Sequence, residues 1–157
     1  MQKRWPDASL ARCEQIIMLG FYSIRKLTEA KKLTHKILKM SVPIRSYPAT
    51  GRTVHFLNRR ELDLLYDFDK PRKRTALLPF LCNQIIHSYV FSLLFDDVEK
   101  LTGMLVASDR ERSKEIFEVS INEIIDIFDK VGKDKNRHIR FRFEEKKDDY
   151  IYELGTD

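Results

Sequence analysis

The stretch Cys82-Asn83-Gln84-Ile85-Ile86-His87-Ser88-Tyr89 puts an amide and an imidazole four residues apart. On a helix this spacing stacks Asn83 and His87 on one face, one turn from each other. Imidazoles change charge near neutral pH, so His87 is the candidate general acid or base and Asn83 its candidate partner. The same pair also serves a plainer role, hydrogen bonds that fix a helix interface. Other chemistries lack their residues. His35, His55 and His138 fall in separate segments without ligand spacing, so no metal site is expected. Gly51 and Gly103 stand alone, which excludes a glycine-rich phosphate loop, and no Gly-x-Ser-x-Gly elbow occurs. Asp96-Asp97 and Asp148-Asp149 fall at predicted turns, and nothing singles out Asp109, Glu115 or Glu118. No cofactor is expected.

The elements that must hold the Asn83/His87 pair follow from periodicity. Leu10, Cys13, Ile17, Gly20, Ile24 and Leu27 recur at steps of three and four, and Ala30, Leu33, Ile37 and Met40 continue the stripe. This predicts one long amphipathic helix over residues 9–39, capped by Asp7 or Ser9. Pro43, Pro48 and Gly51 punctuate residues 41–57, read as a structured loop with a short extended piece. Asn58 and Glu61 match a capping box, so a short helix is expected from Asn58 to about Asp67. Residues 69–74 read as a charged turn. Thr75 is the expected cap of the helix that carries Asn83 and His87, with Pro79 in its first turn. Its apolar face is Leu77, Leu78, Leu81, Cys82, Ile85 and Tyr89, and Phe80 lies beside the polar pair.

Beyond residue 89 the pattern changes to short apolar runs at 90–95, 101–107 and 115–121, read as a strand meander. Ser120 or Asn122 then caps a helix through Val131, closed by Gly132. Ile139, Phe141 and Phe143 alternate with Arg140, Arg142 and Glu144, and Tyr150, Tyr152 and Leu154 alternate again. These predict a terminal hairpin with Phe141 and Phe143 in the core and the arginines on a wet face. The expected fold is α+β in one domain, 1–157. A helical half, 1–89, opens with the long first helix. A strand-rich half, 90–157, holds a small antiparallel sheet and one covering helix.

Charge is distributed unevenly. The net formal charge is +10 over residues 1–60, zero over 61–95 and −5 over 96–157. A basic N-terminal face suits a phosphate backbone, an acidic protein or the acidic half of a second copy. The candidate nucleic-acid-binding residues are Arg25, Lys32, Arg45, Arg52, Arg59, Arg60, Arg72, Lys73 and Arg74. Tyr47, His55 and Phe56 interleave with four of them as a second patch. Cys13 and Cys82 form no CxxC pair, which suits a reducing cytoplasm. No signal peptide is visible, and no apolar run is long enough to cross a bilayer.

Asn83-Gln84-Ile85-Ile86-His87 resembles part of the signature of HEPN domains, in which an Arg, a polar residue that is often Asn, three variable residues and a His share one helix. The resemblance covers six to eight residues, and Cys82 stands in the Arg slot. It implies a dimerising helical bundle whose Arg and His cleave RNA without a metal. A thiol cannot clamp a phosphate as a guanidinium does. Cleavage would therefore need a substitute cation, from Arg72, Lys73 or Arg74, or Arg25 on the first helix. The leading expectation is thus a HEPN-like, non-catalytic or divergent protein that binds RNA or a protein partner, within a prokaryotic defence or toxin–antitoxin system. The alternatives are an active metal-independent ribonuclease using His87 and a structural or assembly subunit with no nucleic-acid role.

Overall fold

A computed structural model describes residues 5–134 and 139–154. Along residues 41–48 buried Val42, Ile44 and Ser46 alternate with exposed Ser41, Pro43 and Arg45, the two-residue period of a strand. This is β1 (Ser41–Pro48), an eight-residue strand where a loop with a short extended piece was expected. The prolines that hid it sit where it has one neighbour. The next strand, β2 (Arg72–Leu77), pairs with residues 41–46, and β5 (Glu115–Ser120) pairs with residues 45–48. Pro43 faces only β2 and Pro48 only β5, so neither missing amide breaks a doubly bonded stretch. The charged turn expected at 69–74 gives up residues 72–74 to β2, and Thr75 lies inside that strand instead of capping a helix.

With β3 (Ser88–Phe95) and β4 (Leu101–Ser108) the sheet is antiparallel throughout, in the order β2-β1-β5-β4-β3. The predicted meander is present. The fold is α+β, with a sheet larger than expected because β1 and β2 come from a loop and a turn in the half expected to be helical.

Helices α1 (Asp7–Glu29), α4 (Leu78–Ile86) and α5 (Ile121–Lys133) pack over one face. Phe21, Leu81, Ile85, Ile124 and Ile127 meet Ile44, Met104, Val106, Phe117 and Val119 there. Each such side chain contributes roughly 1.5–3 kcal/mol on burial. The 49–71 connection, with the one-turn helix α3 (Leu62–Leu65), folds across part of the other face. Val54, Leu65 and Tyr66 cover Tyr47, Val90, Leu105, Ala107 and Ile116. The Tyr66 hydroxyl donates to the Arg112 carbonyl at 2.9 Å, and Arg112 donates to the Val54 carbonyl at 2.8 Å. Burial pushes the Tyr66 phenol up to about 12.

α1 ends ten residues before the expected Lys39. Lys31 adopts φ 58, Lys31 N–H donates to the Thr28 carbonyl, and Lys32 N–H to the Leu27 carbonyl. This left-handed cap is usually made by glycine, so a lysine there gave no stop signal. A single turn, α2 (His35–Leu38), follows, capped by Thr34. Asn58 starts no helix. It holds a turn, accepting from the His55 amide and donating to the Thr53 carbonyl, each at 2.9 Å. α5 is capped by Ser120, one of the two expected candidates, but runs through Gly132 to Lys133.

The terminal hairpin forms as predicted, β6 (Ile139–Glu144) against β7 (Asp149–Leu154) around a 3-10 turn at Glu145–Lys147. It stands as a separate two-stranded sheet. Phe141 is 66 % exposed and Phe143 is exposed too, so the expected core role of these rings is overturned. Among the described residues no layer covers this aromatic face. Phe143 packs instead on Tyr150, ring centres 5.2 Å apart. His138 lies outside the described residues.

Candidate nucleic-acid interface

Leu78, Leu81, Cys82 and Ile85 turn α4 toward the core. The helical period then forces Phe80, Asn83 and His87 outward, and all three are exposed. His87 is the C-cap of α4. Its amide donates to the Asn83 carbonyl at 3.1 Å, and its carbonyl accepts from the Asp109 amide at 3.2 Å. Buried Gln84 accepts from the Ser108 amide at 3.0 Å. These bonds tie the end of α4 to the end of β4 and open a cleft of about 500 Å³ between them.

Arg25 of α1 lines this cleft with Phe80, Asn83, His87 and Arg110. Its Nη1 donates to Asn83 Oδ1, and its Nε pairs with Glu29 at 2.8 Å. A guanidinium therefore stands beside the Asn83/His87 pair although Cys82 occupies the motif's Arg position. Cys82 itself is inert: burial pushes its thiol up to about 12, outweighing the nearby Arg25 charge. The His87 imidazole makes no hydrogen bond among the described residues, so no third group orients a ring nitrogen. Asp109 and Glu111 are already matched, by Arg112 at 3.1 Å and Lys114 at 3.1 Å.

Beneath the cleft a buried row of side chains, Phe117 and Ser46, leads toward the β2 edge. Phe80 stacks edge-on against Phe117 at 5.3 Å. Phe117 is directly opposite Ser46, and Ser46 directly opposite Arg72, so the three share one face in a row across the sheet. Two strand spacings, about 10 Å, separate Phe117 from Arg72. Beside this row Arg74 pairs with Glu115 at 3.0 Å. Ser46 Oγ and Glu115 Oε2 are buried without hydrogen-bond partners.

The structure sorts the nine predicted cations. Arg25, Arg45 and Arg74 are ion-paired, Arg45 with Glu118 at 3.4 Å. Arg59 lies over the Phe56 ring at 4.3 Å. Lys32, Arg52, Arg60, Arg72 and Lys73 have no ionic partner among the described residues. The nine form no single patch: Arg72, Lys73 and Arg74 share the β2 edge, and Arg52, Arg59 and Arg60 lie in the 49–71 connection. The second patch separates, because Tyr47 is buried and bonded to Glu118 while His55 and Phe56 are exposed. Arg110 and the bridging place of Phe80 escape sequence reasoning, since both depend on where α4 meets the sheet. Among the described residues no group of three or more His, Cys, Asp or Glu side chains is placed to hold a metal ion, and no helix is long and apolar enough to cross a membrane.

No family model, curated protein or solved structure matches this chain.

Proposed function

We propose that this protein binds single-stranded RNA without cleaving it, as a HEPN-like module of a prokaryotic defence or toxin–antitoxin system in the cytoplasm. The observation that carries the reading is the cleft that gathers Arg25, Asn83, Phe80 and Arg110. Its two cations suit phosphates, and its exposed ring suits a stacked base. Binding is favoured over catalysis because nothing orients the His87 imidazole and the Cys82 thiol is buried.

The test is fluorescence anisotropy with a labelled single-stranded RNA across salt concentrations. Binding is expected to weaken with salt, at roughly −0.7 in log–log slope per phosphate neutralised. Arg25→Gln combined with Arg110→Gln is expected to lower affinity at least tenfold. Absence of binding even at low salt overturns the proposal and leaves the structural-subunit reading. Incubation of the RNA with protein in EDTA addresses the ribonuclease alternative, which the closeness of Arg25 to Asn83 favours. Intact RNA is expected; cleavage abolished by His87→Ala establishes the enzyme.

A further inference from the structure

β3 forms the edge of the sheet opposite β2. Its eight residues, Ser-Tyr-Val-Phe-Ser-Leu-Leu-Phe, include no charge. One side pairs with β4, and the other pairs with no strand among the described residues. About four backbone amides and as many carbonyls therefore point to the open side. A groove of about 500 Å³ follows this edge, walled by Leu10, Glu14 and Met18 of α1 and by Arg59, Arg60 and Leu62.

α1 adds a second bare surface. Residues 16–22 read Ile-Ile-Met-Leu-Gly-Phe-Tyr, with no polar interruption on either side of the helix. Ile17 and Phe21 enter the core, whereas Ile16 and Leu19 are 56 % and 64 % exposed, beside exposed Met18 and Tyr22. A helix apolar all round is normally covered all round. Met18 belongs to both surfaces, since it lines the groove and joins the outer face of α1. The two surfaces are continuous.

We infer that a second copy of this chain covers this surface, β3 against β3 antiparallel, so that two sheets become one and the two α1 helices lie on the same side. A two-fold axis sets the groups nearest it against their own kind, so charge at the contact would oppose association. β3 has none. The open backbone needs only another backbone, and the outer face of α1 needs only another apolar face. Glu14, Arg59 and Arg60 stand on the groove walls, off the strand. The β2 edge is barred from the same pairing, because Arg72, Lys73 and Arg74 would meet their own copies. One open and one barred edge closes the assembly at two copies.

Sedimentation equilibrium of the full chain tests this between about 1 and 200 μM. A monomer–dimer equilibrium is expected, with amide exchange in residues 88–95 slowing as concentration rises. Ser92 is partly buried, lines the groove and belongs to neither apolar cluster, so Ser92→Lys is expected to raise the dimer Kd at least tenfold, with its melting checked beside it to show that the fold is kept. Leu19→Glu, on a separate element, is expected to do the same. Mixing Ser92→Lys with Ser92→Glu is expected to recover a dimer, whereas Lys73→Glu leaves it unchanged. A chain monomeric at every concentration overturns the inference, including one whose groove takes up an acidic extended peptide. So does a dimer that ignores both substitutions.

Discussion

At one edge of the sheet Arg72, Lys73 and Arg74 stand within the six residues of β2; at the other, the eight residues of β3 carry no charge. Among the described residues both strands have one backbone side that pairs with no other strand. Their side chains decide what can approach it. Lysine and arginine repel a second strand of the same kind and attract a polyanion. An uncharged edge strand presents a free ladder to another strand. The two proposals thus assign different partners to the two edges of one five-stranded sheet.

The strongest test of this division lies between the edges. Gly103 on β4 is flanked by Leu94 of β3 and Ser120 of β5. A methyl there would stand 2.5 Å from the Val119 carbonyl oxygen, a backbone atom that cannot swing aside. Gly103→Ala is expected to cost about 3 kcal/mol in urea denaturation. Amide exchange is expected to speed up in β3 before β2, and uniform loosening of both edges would break the comparison.

Next in size is alkaline pH, acting on the helix that carries the chain from β2 to β3. The Cys82 thiol, with an ordinary value of 9.0, is pushed up to about 12 by burial under α4. Its folded form stays protonated while the unfolded chain ionises. That stability is complete below 9 and is lost as pH rises from 9 toward about 12, about 2 kcal/mol by about pH 10.5. Urea midpoints measured across this range are expected to fall, less steeply in Cys82→Ala.

Smaller again is Arg72→Gln with Lys73→Gln. RNA affinity is expected to drop about tenfold at about 150 mM salt, with the salt slope shallower by about 1.4. The same change removes the bar on β2, so species larger than a dimer are expected in sedimentation. The smallest effect belongs to His87→Ala, expected to change RNA affinity by less than about twofold. A larger loss would make His87 itself a principal contact of the cleft.

Much of the β3 side was legible in sequence. Branched and aromatic runs between acidic turns marked β3, β4 and β5, and Ser120 or Asn122 marked the start of α5. The β2 side was not. Arg72-Lys-Arg-Thr75 looks like a turn because an edge strand needs few apolar residues, and β1 was disguised by prolines whose harmlessness depends on which neighbour stops where. The candidate site divides likewise. Helical spacing placed Asn83, His87 and Phe80 outward. That Arg25 reaches Asn83 is set by the packing of α1 on α4, which no local pattern encodes.

Near the far end of the chain, both carboxylate oxygens of Asp134 accept from Thr34, one from its amide and one from its hydroxyl, each at 2.8 Å. The two residues are one hundred positions apart, and Thr34 also caps α2. Closing so long a loop costs entropy that rises with its length, so this clasp belongs to the late stages of folding. Asp134→Ala is therefore expected to raise the unfolding limb of a chevron and leave the folding limb nearly unmoved. The clasp governs how long the native state lasts more than how quickly it is reached.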